Sequence, residues 1–134
     1  MMEIKLVKQE ESFGCVIACM AMVLGCSYDE VRKDFVNDFN RKGINADKAI
    51  GYLADKGFQT IHKKVGWYNN VDFSRKEMLK PFAPAHLLRI RAAFDNTMTH
   101  LIVMTGKGKL ICPQETPEKE IRQCYEISDV WGIY

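Results

Sequence analysis

The stretch that most constrains this chain runs from Gln9 to Gly25, QEESFGCVIACMAMVLG, where a polar lead-in gives way to a run, Val16 to Leu24, with no charge, Gly or Pro. Such a run predicts a helix over about 15–24 that is apolar nearly all round. A helix of that kind is buried on most of its surface, so the rest of the chain has to wall it in. Cys15 falls where the loop becomes this helix. First-turn N–H groups have no partners inside a helix, and with the aligned peptide dipoles they stabilise an anion placed there. A thiolate is such an anion. Cysteines so placed have pKa values lowered from about 8.5 to about 3.5–7.5, which predicts a nucleophilic thiol. The competing reading is a small buried hydrophobe, the usual fate of a core cysteine.

Cysteine nucleophiles in hydrolases need an imidazole to take and return a proton, usually from a distant part of the chain. His100 opens HLIVMTG, which reads as a strand leading into the turn Lys107-Gly108-Lys109. Gln9 stands six residues before Cys15. Its amide can reach back toward the helix start and donate to a developing oxyanion, and one such donor supplies a few kcal/mol in a transition state.

Gln9, Cys15, the tail Ala18-Cys19-Met20-Ala21-Met22-Val23-Leu24 and His100-Leu101-Ile102-Val103 together resemble the bacteriocin-processing peptidases. These are papain-like cysteine peptidase domains, often fused to peptide-exporting ABC transporters, that cut leader peptides after a double glycine. The resemblance implies an α+β, papain-like fold with Cys15 as nucleophile, His100 as general base and Gln9 in the oxyanion hole. The family orients its base with an Asp, usually followed by Pro. Here Cys112-Pro113 occupies that place, with Gln114 next as an amide acceptor. The family also has Gly after the nucleophile, where this chain has Val16.

A length of 134 residues predicts one domain spanning 1–134 with a core of its own. Its helical half should cover about 1–57 and its sheet half about 58–134. A net charge of +2 is too mild for an electrostatic nucleic-acid footprint. The longest uncharged run, Ser12 to Tyr28, includes polar residues and two glycines, so it falls short of a bilayer-spanning helix. MMEIKLVKQEE does not read as a signal peptide. The expectation is a cytoplasmic protein with reduced thiols, despite five cysteines. Cys15 and Cys19 lie four apart, a spacing that would suit half of a zinc site completed by His62, His86 or His100. No second paired set follows, so neither metal nor cofactor is expected.

Along the chain, MEIKLV reads as a short edge strand or a lead-in. Ser27-Tyr28-Asp29-Glu30 reads as a capping box opening a helix that carries Val31, Phe35, Val36 and Phe39. Asn45 or Asp47 caps a third helix over about 46–56, with Ala49, Ile50, Leu53 and Ala54 inward and Gly57 as its stop. Strands are expected over 58–65 and 86–92, with His62 and His86 at the surface. Trp67 and Tyr68 line a groove or close the core, and Ser74 to Glu77 opens a short helix. Arg89 and Arg91 face solvent or meet an acidic peptide. Asp95-Asn96-Thr97 reads as a loop that puts His100 at the start of its strand. Thr116-Pro117-Glu118 starts a final helix or turn, and Cys124 to Tyr134 supplies a last strand.

The function expected is a thiol hydrolase that cleaves a peptide or isopeptide bond through an acyl-enzyme on Cys15, with a peptide or protein as substrate. Two alternatives stay open on the same fold. One is deamidation or acyl transfer, and the other is an inactive peptide- or protein-binding module.

Overall fold

The computed structural model describes residues 3–11, 14–35, 44–64, 80–92 and 95–134, with backbone alone at 95–98. Its helices are α1 (Cys15–Leu24), α2 (Tyr28–Arg32), α3 (Ala46–Asp55) and α4 (Glu118–Cys124), with a 3-10 turn at Lys33–Phe35. Its strands are β1 (Thr60–Lys64), β2 (Ala85–Ala92), β3 (Asp95–Thr105), β4 (Leu110–Ile111) and β5 (Tyr125–Ile133). They form one antiparallel sheet in the order β1-β5-β2-β3-β4. This is the α+β arrangement expected, with the N-terminal helices packed on a sheet from the second half.

The apolar run behaves as its composition requires: Val16 to Val23 are all buried. The helix stops at Gly25, whose φ of 70° lies in the left-handed region and lets the cap N–H turn back onto Ala21 O. Ser27 caps α2, accepting from Glu30 N at 3.2 Å and donating to Glu30 Oε1 at 3.2 Å. Asn45 caps α3 by accepting from Lys48 N at 2.9 Å. In α3, Ala46, Ala49 and Leu53 are buried. Ala54, expected inward, is exposed, because it sits one step past the stripe that 46, 49, 50 and 53 make at helical spacing.

Strand alternation divides the sheet into two cores. Ala85, Leu87, Leu101, Val103, Ile111, Trp131 and Ile133 face α1, α2 and α3. Leu88, Ile90, Ile102, Met104, Leu110, Cys112, Ile127 and Val130 face the other way and are joined by Ile121 of α4. The last strand is internal to the sheet, between β1 and β2. No helix among the described residues is long and apolar enough to cross a membrane.

Two further expectations are corrected. Residues 95–97 belong to β3 and not to a loop, since Ala92 pairs with Asp95. Ladder pairing there overrides the poor strand propensity of Asp and Asn, and His100 is the sixth residue of its strand. His86 is fully buried. It accepts from Phe82 N at 3.0 Å and Ala83 N at 3.1 Å through Nε2, while Nδ1 faces Met104 O at 3.2 Å. Those bonds replace the water a surface histidine would have, and burial holds its pKa below the ordinary imidazole value. Of the two readings of the N-terminal stretch, the lead-in is the one seen: residues 3–9 take no strand, while Ile4 and Val7 pack against the helix-side core. The readings of Val36 and Phe39, of Trp67 and Tyr68, and of the helix at Ser74 lie outside the described residues.

Candidate active site

Cys15 is the first residue of α1 and is half-buried against the helix-side core. The approach to it is fixed by Glu11. Its carboxylate accepts from Tyr28 OH at 2.9 Å and from Arg32 Nε at 2.8 Å, tying the lead-in to α2. Its carbonyl accepts from Gly14 N at 3.0 Å and from the Gln9 side-chain amide at 2.9 Å. Gly14 is required here, because a Cβ at that position would overlap the Tyr28 hydroxyl. Glu11 was not singled out in the sequence, since nothing separates it from its polar neighbours until Tyr28 and Arg32 are seen beside it.

Gln9 is brought in from a second direction. Its backbone N–H donates to Pro113 O at 3.1 Å, so the lead-in runs beside the end of β4. There β3 and β4 part. Val103 pairs with Ile111 and Met104 with Leu110, and Thr105 N donates to Lys109 O at 2.9 Å. Beyond Ile111 the α1 cysteines take over. Cys19 Sγ donates to Leu101 O at 3.3 Å, and the Leu101 N–H reaches the Cys15 sulfur. Ladder bonds lie in the plane of a sheet, so the start of α1 occupies the edge of β3 where β4 has ended. Leu101 is the residue after His100.

His100 is half-buried and stands opposite Ile90 in register. Alternation puts it on the face that carries Ile102, Met104 and Cys112. Burial holds its pKa below the ordinary imidazole value, which favours the neutral ring at neutral pH. Cys15 departs from expectation. Burial pushes its thiol up, and this outweighs the N–H groups of Leu101, Val16 and Cys15 itself, which act the other way. The helix start does supply its donors, but in a pocket dry enough that they do not win. Burial thus favours the neutral form of each group, thiol at Cys15 and imidazole at His100.

Among the described residues no acceptor is hydrogen-bonded to His100. Cys112 is buried in the α4-side core. Gln114 is exposed on the turn closed by Glu115 N donating to Cys112 O at 2.9 Å. Val16 is buried in the helix-side core.

A carboxylate-oriented histidine does occur, but elsewhere. His62 on β1 is exposed as expected. Its Nε2 lies 2.6 Å from Asp129 Oδ2, and its ring stacks on Trp131 with centroids 4.9 Å apart. Arg89 completes the cluster, donating to Asp129 Oδ1 at 2.5 Å and to Ser128 Oγ at 2.8 Å. Arg91 donates to Glu126 at 3.2 Å. Both arginines are thus held by carboxylates of β5. No group of three or more His, Cys, Asp or Glu side chains among the described residues is placed to hold a metal ion.

The helices, sheet order and packing make an α+β fold that is shared with solved peptidase domains. Among solved structures, the chain is similar to a double-glycine motif protease from an AMS/PCAT transporter, crystallised in complex with the leader peptide. That match has a TM-score of 0.64 at 21% identity and covers 98% of this chain and 91% of the other. It is also similar to the peptidase domain of Streptococcus ComA, a bifunctional ABC transporter involved in a quorum-sensing pathway, with a TM-score of 0.60 at 15% identity and 98% of each chain covered. The peptidase domain of Streptococcus mutans ComA matches at a TM-score of 0.57 and 16% identity, covering 97% of this chain and 98% of that one. No family model and no curated protein matches the sequence.

Proposed function

We propose that the chain is a cysteine peptidase that cleaves a peptide or isopeptide bond through an acyl-enzyme on Cys15. The observation that carries this is the junction at β3: Cys15 opens α1, and one turn on Cys19 Sγ donates at 3.3 Å to the carbonyl of Leu101, the residue that follows His100. The fold neighbours support the reading. One of them, a double-glycine motif protease, was crystallised with a leader peptide, which makes the bond after a Gly-Gly pair the first to try.

With a neutral thiol and a neutral imidazole at rest, the proton moves as the bond forms. His100 takes the Cys15 proton while sulfur attacks the carbonyl carbon. The Gln9 amide and the Cys15 N–H receive the oxyanion. Collapse expels the amine with the proton returned from His100, leaving a thioester. Water, deprotonated by the same ring, releases the acid and restores the thiol. A second reading, a peptide-binding module that does not hydrolyse, is favoured by one observation: Cys112, and no carboxylate, occupies the orienting position.

The test is to incubate the protein with peptides containing an internal Gly-Gly pair and follow cleavage after the second glycine by mass spectrometry. Cleavage by the wild type that is lost in Cys15→Ala is the expected result. Peptide binding with no cleavage, unchanged by Cys15→Ala, contradicts the peptidase and supports the binding module.

A further inference from the structure

One rung of the sheet is missing, and its absence assembles the site. The pairing of β3 with β4 keeps a constant register, Met104 with Leu110 and Val103 with Ile111. Continued, it puts Ile102 opposite Cys112 and Leu101 opposite Pro113. Thr105 bonds across to Lys109, and hydrogen-bonded positions recur at every second residue of an antiparallel pair. Leu101 and Pro113 are therefore the next two residues due to exchange ladder bonds.

They do not exchange them. Proline has no N–H to give, so Leu101 O lacks its ladder donor and accepts Cys19 Sγ–H instead. Pro113 O receives the Gln9 N–H, from a different segment. The Leu101 N–H, which points to the same side as Leu101 O, turns to the Cys15 sulfur. Three groups that would have closed a rung hold three parts of the candidate site: the start of α1, the residue beside His100, and Gln9.

We propose that Pro113 is a positioning residue for Cys15: by ending β4 one rung early it leaves the Leu101 backbone to seat the first turn of α1, and its own carbonyl anchors Gln9. The inference deepens the peptidase reading and takes the importance of Cys15 from it. Pro113→Ala restores an N–H that can bond Leu101 O. The strand then zips one rung further, competes with Cys19 for that carbonyl, and draws the Leu101 N–H off the sulfur.

The experiment follows carboxamidomethylation of Cys15 by iodoacetamide against pH, with peptide mapping to separate the five cysteines. In Pro113→Ala the Cys15 profile should move to higher pH and its rate at neutral pH should fall about tenfold, the scale of one hydrogen bond to a charged group. The profiles of Cys26 and Cys124 should not move, and thermal stability should hold or rise. A Cys15 profile identical to wild type, whatever happens to stability, overturns the inference and leaves Pro113 a mere strand end. Cys19→Ala is the second variant, in case Pro113→Ala does not fold. It leaves Pro113 in place but releases Leu101 O, and it should move the Cys15 profile the same way by less, whereas no movement overturns the inference too. The readout is thiol chemistry and not cleavage, so a wild type that cuts no peptide refutes the peptidase without touching this result.

Discussion

Two histidines on one sheet show how differently the same side chain can be used. His62 has the carboxylate partner that hydrolases give their catalytic base, at 2.6 Å from Asp129, together with a stacked indole. His100 has neither among the described residues, yet it is the one that adjoins the residue touching Cys15. Strands β5 and β2 separate β1 from β3, so at about 4.8 Å per strand His62 lies on the order of 14 Å from that junction. An oriented imidazole without a nucleophile in reach is a structural tie across three strands. On the function proposed above, the base is the ring that precedes Leu101, whose carbonyl is held by Cys19 of α1, and not the ring with the better carboxylate partner.

The sharpest way to break this comparison is to remove each ring in turn. His100→Ala should lower cleavage of a Gly-Gly peptide by about 10²–10⁴-fold, the usual contribution of a general base. His62→Ala should leave it within about twofold. Equal losses in steady-state kinetics would mean that the two histidines cannot be told apart in this way.

A smaller effect comes from giving His100 what His62 has. Cys112→Asp places a carboxylate on the face His100 occupies and should raise kcat about tenfold, part of what an orienting Asp supplies in a triad. The pH profile sharpens the test. Burial alone sets the His100 pKa below 6.5, so the acid limb of wild-type activity should fall below that value as the ring protonates. A nearby carboxylate favours the charged ring, so the variant's acid limb should move to higher pH. An unmoved limb would show that residue 112 does not address His100.

The smallest effect falls on the far cluster. Asp129 is nearly all buried, and although burial acts to raise its pKa, hydrogen bonds from Ser128 and His62 and the charge of Arg89 hold it below 3.8. A carboxyl depressed in this way contributes stability above its unfolded value and loses it only as pH falls through the folded one. Asp129→Asn should cost about 1–3 kcal/mol at neutral pH, discounted because Arg89 and His62 are partly exposed. The deficit in urea unfolding should shrink at acid pH. The alkylation profile of Cys15 should not change.

Much of this architecture was legible from residue pattern. The uncharged run Val16 to Leu24 required a buried helix, Gly25 stopped it, Ser27 and Asn45 capped the next two, and the turn at Gly108 joined two strands. Two departures share one cause: local chemistry points His86 to the surface and 95–97 to a loop, and long-range pairing overrides it. The first is rescued by the N–H groups of Phe82 and Ala83, the second by a ladder to β2. The reversed direction of the Cys15 pKa has the same origin: the helix start is visible in sequence, whereas the depth to which β3 buries it is not. Glu11 gave no signal at all. Pro113 did, as a proline closing a short strand, but its meaning depends on a register that only the folded sheet defines.

The most direct measurement of the central claim uses a peptide ending in a Gly-Gly chloromethyl ketone, with the rate and position of its attachment read by intact mass and peptide mapping. A single adduct on Cys15 is expected, forming about a hundredfold more slowly in His100→Ala and at an unchanged rate in His62→Ala. Adducts spread over the cysteines, or one rate in all three proteins, would contradict it.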